Sequence, residues 1–195
     1  MIIGITGTIG AGKNTAADYI VKKYGFVPRF GSDFIAGEVT RQGLPATREN
    51  MRNVANDIRA KYGSGYIMEN LLKNLDVKRD NILVGFFRTI NEINYFKKLE
   101  GKSIIIAIDA EDEVRYKRIL QRQSSKDDIS WEEFVSAEKA EASSDNPDKQ
   151  NMTACLKAAD IIIHNNSDLE NLHSQLDACI KNENESNSFT KARPS

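Results

Sequence analysis

The stretch Gly7-Thr8-Ile9-Gly10-Ala11-Gly12-Lys13 constrains this chain more than any other. It follows a short apolar run, Met1 to Thr6 (MIIGIT), that reads as a buried strand. It precedes Asn14 to Tyr24, whose Ala17, Ile20, Val21 and Tyr24 recur at helical spacing. These residues fill the first places of the pattern G-x-x-x-x-G-K-[ST], in the strand-to-helix setting that gives the pattern its meaning. Glycine lets the backbone wrap an anion with its N–H groups pointing inward, and the helix amino end adds a favourable dipole. Lys13 is then placed to span the β- and γ-phosphates, so a triphosphate is the expected occupant. The eighth place holds Asn14 where a magnesium-ligating hydroxyl normally stands, with Thr15 one place later. Asn14 offers a neutral carbonyl oxygen, which makes it the candidate Mg²⁺ ligand, directly or through water.

Downstream, strand and helix signals alternate. A brief strand (Phe26 to Phe30) leads to Gly31-Ser32-Asp33, a cap for a helix running to Arg41. Thr47 caps another helix, carrying Met51, Val54, Ala55 and Ile58 and ended by Gly63 and Gly65, and a further helix spans Tyr66 to Leu75. Strands follow at Asn81 to Phe87, Ser103 to Asp109 and Asp160 to Asn165, with helices at Asn91 to Glu100 and Val114 to Arg122. Ser130 with Glu133, and Ser167 with Glu170, read as capping boxes; the last helix runs to Ile180. Five apolar runs separated by helices specify an α/β fold with a five-stranded parallel sheet covered on both faces. Ligands in such folds bind beyond the carboxyl ends of the strands, here just after Thr6, Phe30, Phe87, Asp109 and Asn165.

Composition excludes several function classes. The 195 residues hold 27 Lys+Arg against 28 Asp+Glu, a net charge of −1, without the basic excess that nucleic-acid binding draws on. The 2 cysteines, Cys155 and Cys179, supply neither a zinc site nor a disulfide framework, and a reducing cytoplasm is the expected location. No segment reaches the ~18 consecutive apolar residues of a membrane span. A monomer or small homo-oligomer is expected.

With these residues in view, the chain resembles small P-loop kinases of the dephospho-coenzyme A kinase and nucleoside monophosphate kinase group. GTIGAGKNTAADYI is similar to the dephospho-CoA kinase opening, and VGFFRTINEI is similar to the adenylate kinase signature DGFPRT, with Val84 and Phe87 replacing aspartate and proline. ADIIIHNNSDLENL resembles the end of dephospho-CoA kinases, where a turn after the last strand packs near adenine, which implicates Asn165. The middle of the chain is most similar to a dephospho-CoA-kinase-like branch. The resemblance implies a three-layer P-loop NTPase fold over residues 1–181, an acceptor-binding segment at about 33–75 and a lid at about 123–151, while the polar end of the chain, 182–195, has little with which to form a core and reads as a disordered tail. It also implies phosphoryl transfer from ATP, with Mg²⁺, to dephospho-CoA or a (deoxy)nucleoside monophosphate.

Roles follow by position. Asp33 stands where dephospho-CoA kinases carry a D-x-D pair, Gly31 replacing the first aspartate. It is a candidate to face the acceptor hydroxyl or metal-bound water, with a helix cap as the other reading. Arg88 matches the arginine that grips the acceptor phosphate in nucleoside monophosphate kinases, a task suited to the guanidinium fork. Arg118 and Arg122 resemble lid arginines that close over ATP, whereas Arg115 divides evenly between that role and pairing with Asp112 or Glu111. Arg41 and Arg48 read as solvated helix faces. Asp109 reads as a cap, His164 as a hydrogen-bonded core residue, His173 as surface, and Trp131, Phe134, Tyr62 and Tyr66 as packing groups. Because Asn14, Gly31 and Val84 all depart from metal or acid positions, a nucleotide-binding switch or regulatory subunit without useful turnover is the alternative.

Overall fold

The computed structural model describes residues 1–63, 65–122, 129–146 and 149–190. At its centre lies a parallel sheet of β1 (Ile2–Gly7), β2 (Val27–Phe30), β3 (Ile82–Gly85), β4 (Ser103–Asp109) and β5 (Ile161–His164), in the order β2-β3-β1-β4-β5. Register is fixed by Ile2 opposite both Ile82 and Ser103, Val27 opposite Ile82, and Ile106 opposite Ile161. Every residue of β1 and β3 is buried, as continuous apolar runs require when both faces are covered. The edge strands β2 and β5 are partly exposed, and Pro28, which has no N–H for a ladder, sits on edge strand β2.

The period-2 alternation of the strands divides the core. Ile2, Ile82, Val84 and Ile105 face a layer built from α2 (Gly31–Arg41), α3 (Arg48–Tyr62), α4 (Gly65–Leu72), α5 (Ile90–Lys97) and α8 (Met152–Lys157). Ile3, Ile5, Leu83, Ile104, Ile106 and Ile108 face α1 (Lys13–Tyr24) and α9 (Leu169–Thr190). This is a three-layer α/β P-loop fold. From β1 the chain passes to β2 at one edge, and from β3 it crosses β1 to β4 on the other side, so the direction of winding reverses beside β1, at whose carboxyl end the glycine loop lies. Helix α6 (Asp112–Gln121) meets that loop through Arg115, which donates to Ile9 O, and α7 (Trp131–Ala142) is tied to α6 by the Glu138–Arg115 pair. No described helix is long and apolar enough to cross a membrane.

Several boundaries differ from the sequence expectation. Helix α2 begins at Gly31 with Phe30 as an extended N-cap, so Asp33 lies inside the first turn instead of capping it. Glu111 precedes α6 as its N-cap, leaving Asp109 free to accept from Thr8 Oγ1 at 3.0 Å. Asp168, not Ser167, caps α9 by accepting the Asn171 N–H at 2.8 Å. Strand β3 stops at Gly85, and α8 fills part of a stretch without a sequence signal, capped by Asn151. Of the expected disordered tail, 182–190 continue α9, and Glu183 pairs with Lys102 at 3.1 Å; 191–195 lie outside the described residues, as do 123–128 and 147–148 of the expected lid. His164 is exposed on edge strand β5, and His173 is stacked on Tyr19 at 3.7 Å.

Ile106, fully buried at the centre of β4, reports on the whole core. Ile106→Ala is expected to lower unfolding stability by about 2–5 kcal/mol, read from urea denaturation with an unchanged slope.

Candidate functional site

The loop after β1 owes its shape to its carbonyls. Lys13 Nζ donates to Gly7 O at 2.8 Å and Thr8 O at 2.6 Å, Arg115 Nη1 donates to Ile9 O at 3.1 Å, and Asn165 Nδ2 donates to Ala11 O at 2.8 Å. With these carbonyls engaged, and with the Ala11 amide donating to Thr8 O at 3.4 Å, the other loop amides can turn to an anion. Three glycines are sterically required. Gly7 has φ 143°, and a Cβ there would stand 2.0 Å from Ile108 O; Gly10 has φ 79°, and a Cβ there would stand 2.7 Å from Arg115 O; Gly12 has φ 102°, and a Cβ there would stand 2.5 Å from Asn165 Nδ2. The clamp by Asn165 is therefore possible only because residue 12 has no side chain.

Two cavities flank the loop. The larger, about 940 Å³, is lined by Ile9 and Asn14, by Arg52 and Arg59 of α3, by Arg88 after β3, and by Glu141 of α7, over an apolar floor that includes Met68 and Phe87. The smaller, about 400 Å³, is lined by Gly10, Gly12, Thr15, Arg118, Arg122 and Asn165. Arg118 closes one wall of the latter by donating to Asn165 O at 2.8 Å and Ser167 O at 3.3 Å. Lys13 is buried between the two groups of arginines. Burial lowers its pKa to about 7, Arg88 and then Arg122 push the same way, and Glu141 and Glu138 oppose them.

The sequence-predicted residues are thus distributed around one loop, with one exception. Asp33 is exposed in the first turn of α2 and lines neither cavity, although its neighbours Gly31 and Ser32 line the larger one. Arg115 is not exposed like a lid arginine: it is 3% exposed, pairs with Asp112 at 2.6 Å and Glu138 at 2.8 Å, and donates to Ala110 O. It acts as a strut between the loop and α7. Arg41 pairs with Glu38 of its own helix at 2.6 Å, and the Arg48 side chain lies outside the described residues.

Sequence reasoning missed the acids. Glu141 Oε2 accepts from Arg88 Nη1 at 2.9 Å. Glu92 is almost fully buried: its Oε1 takes Arg59 Nε and Nη2, while its Oε2 accepts the Arg88 and Thr89 amides and completes a capping box on α5. The Thr89 and Glu92 spacing was a legible capping signal, but nothing local marked Arg59 as its partner.

Lys13 carries a prediction. Its pKa falls from 10.5 in the unfolded chain to about 7, so its charge destabilises the ligand-free fold. That penalty is complete below about pH 7 and disappears as pH rises toward 10.5, the window in which the unfolded chain binds more protons. A triphosphate beside Nζ restores the charge. ATP binding at about pH 8 is therefore expected to take up a proton, seen by calorimetry in buffers of different ionisation enthalpy, and Lys13→Met is expected to abolish the uptake.

Comparison with known proteins places this geometry. The family model described as AAA domain matches residues 6–135. A UPF0200 protein of Methanocaldococcus jannaschii is 30% identical over 184 residues, covering 93% of this chain and 89% of the relative. A UPF0200 protein of Pyrococcus abyssi is 33% identical over 146 residues, covering 72% and 78%. Among solved structures, TT1252 from Thermus thermophilus superposes with a TM-score of 0.63 at 19% identity, over 93% of this chain and 97% of that one. Shikimate kinase from Acinetobacter baumannii gives 0.52 at 13% identity, over 92% and 90%. At such identities these two likenesses are of fold, a P-loop fold that kinases share. With its glycine loop inside the matched region and nearly its whole length aligned to the archaeal relative, the chain belongs to the AAA domain family and, within the curated proteins, to the UPF0200 family.

Proposed function

We propose that the protein is an ATP-dependent phosphotransferase that moves the γ-phosphoryl group to a small nucleotide-like acceptor. The observation that carries this is the placement of the loop between two cavities of unequal size, with Lys13 buried behind that loop and within the field of Arg88, which lines the larger cavity, and of Arg122, which lines the smaller. A switch needs only the nucleotide pocket; a second, larger cavity with arginines on its wall is what an acceptor needs. ATP lies with its base side in the smaller cavity near Asn165 and its phosphates on residues 7–15. Arg118 and Arg122 neutralise charge on the nucleotide side, and Arg88 does so on the acceptor side.

Among the described residues no group of three or more His, Cys, Asp or Glu is arranged to hold a metal. If Mg²⁺ accompanies the nucleotide, the exposed Asn14 would be the residue to hold it, and the ion would supply charge neutralisation to the phosphates. Within the class, dephospho-CoA and a (deoxy)nucleoside monophosphate are the acceptors that the sequence resemblance implies. The expected base at Asp33 is exposed, and the carboxylates lining the larger cavity are Glu49, Glu92 and Glu141.

The second reading, a nucleotide-binding switch, draws on Val84: it is fully buried and apolar where many P-loop enzymes orient magnesium with an acid. Measuring ADP formation with ATP, Mg²⁺ and each acceptor separates the two. Acceptor-dependent ADP is expected, reduced by roughly 10²–10³-fold in Lys13→Met. Arg88→Met is expected to lower kcat/KM for the acceptor by roughly 10- to 100-fold with ATP affinity retained. Firm ATP binding with no ADP from any acceptor identifies the switch.

A further inference from the structure

The acids around the loop differ in what they have left to offer. Glu92 is 4% exposed and both of its oxygens are engaged, one by Arg59 and the other by two backbone amides. Glu138 is fastened to buried Arg115 and does not line the larger cavity. Asp109 holds Thr8, and Asp33 faces solvent outside both cavities. Glu49 lines the larger cavity but is exposed in the first turn of α3, away from the groups that set the charge of Lys13. Glu141 alone of the described acids combines three properties. It lines the larger cavity, it is the carboxylate with the strongest pull on Lys13, and only its Oε2 is bonded, leaving Oε1 without a partner among the described residues.

The arginines tell the same story from the other side. Arg59 is matched by Glu92 and Arg88 by Glu141, and among the described residues lining the cavity Arg52 is the arginine without a partner. A dianionic phosphate taken up on the Nε or Nη2 of Arg88 would lie beside a carboxylate that holds its Nη1 at 2.9 Å, a like-charge contact that costs free energy unless Glu141 is protonated. A neutral hydroxyl meets the Arg88–Glu141 pair without breaking it, giving its proton to Oε1 and accepting from the guanidinium. The wall that faces the phosphate loop is therefore built for an alcohol, and the remaining positive charge, on α3, is built for an anionic group elsewhere on the same molecule.

From this arrangement we infer that Glu141 is the general base of the transfer and that the acceptor atom is a hydroxyl oxygen of an anionic alcohol, not a phosphate oxygen. The inference rests on the phosphotransferase reading above and narrows it. In the step, the hydroxyl proton passes to Glu141 Oε1 and the oxygen lone pair forms the bond to the γ-phosphorus. The bond from that phosphorus to the β–γ bridging oxygen breaks, its electron pair leaving with ADP. The products are ADP and a phosphate monoester, and the proton on Glu141 is released to water. Helix α7 brings the base only when seated over the loop, where the Glu138–Arg115 pair, one helical turn away on α7, holds it.

The test uses the full chain with ATP and Mg²⁺ and two sets of probes. One set is anionic alcohols, dephospho-CoA, pantothenate, shikimate and glycerate; the other is phosphate acceptors, AMP, CMP and dTMP; water alone is the background nucleophile. Phosphorus NMR distinguishes a new monoester from a new diphosphate. Transfer to an alcohol, or in its absence hydrolysis by water, is expected to fall by roughly 10²–10⁴-fold in kcat in Glu141→Gln. ATP affinity and melting temperature stay near wild type, and Glu141→Asp recovers part of the rate. Arg52→Met is expected to raise KM for the alcohol by roughly 10-fold with kcat retained. A diphosphate product from a nucleoside monophosphate, or a Glu141→Gln variant that is as active as wild type or gains acceptor affinity, overturns the inference while leaving the phosphotransferase standing. ATP binding with neither transfer nor hydrolysis overturns both.

Discussion

The fixing of the loop carbonyls of residues 7, 8, 9 and 11 is the constraint on which the rest of the site depends. A glycine-rich turn is by itself a floppy segment, and glycine makes it more so. Here Lys13, Arg115 and Asn165, donors from three separate elements, hold its carbonyls. Each donor is itself held: Asn165 by the end of β5, Arg115 by burial against Asp112, Glu138 and the ring of Phe134 at 5.1 Å, and Lys13 by the first turn of α1. Order in the loop is thus purchased by the sheet and by α7 together, before any ligand arrives.

That arrangement concentrates positive charge in a poorly hydrated place. Arg88 and Arg122 each act against the charge on Lys13, and Glu141 and Glu138 of α7 oppose them only in part, since burial still brings the Lys13 pKa down to about 7. A ligand-free fold strained by its own cations gains by taking up a triphosphate. The same acids tie α7 to the loop and to Arg88, so the covering helix, the phosphate cradle and the larger cavity form one electrostatic unit. By contrast, the buried Arg59–Glu92 pair at 2.9 Å is internally complete. It holds α3 against α5 and gives the cavity a rigid wall; removing one partner of such a pair costs about 3–5 kcal/mol.

How much of this was legible in the sequence varies with the range of the interaction. The five strands, the α1 start and the loop were readable because each is written in contiguous residues: an apolar run, a glycine spacing, a helix period. Element ends were less so. Phe30 caps α2 through an extended backbone with no side-chain bond, which moved Asp33 from an expected cap into an exposed first turn. The six-residue α8 has too little periodicity to show itself. Contacts across the chain, such as Arg88 with Glu141 or Arg59 with Glu92, join residues 53 and 33 positions apart and leave no local trace in either partner. Arg115 was balanced between two roles because a one-turn pairing with Asp112 was visible and its burial was not.

The most direct measurement is a crystal structure of the full chain with a non-hydrolysable ATP analogue. The base should lie in the smaller cavity between Arg118 and the Asn165 turn, with the phosphates on the loop amides and Lys13 Nζ moved from the Gly7 and Thr8 carbonyls to the β- and γ-phosphates. The γ-phosphate should then face the larger cavity beside Arg88 and Glu141. An analogue lying in the larger cavity, or bound with Lys13 still on its two carbonyls, would contradict the account.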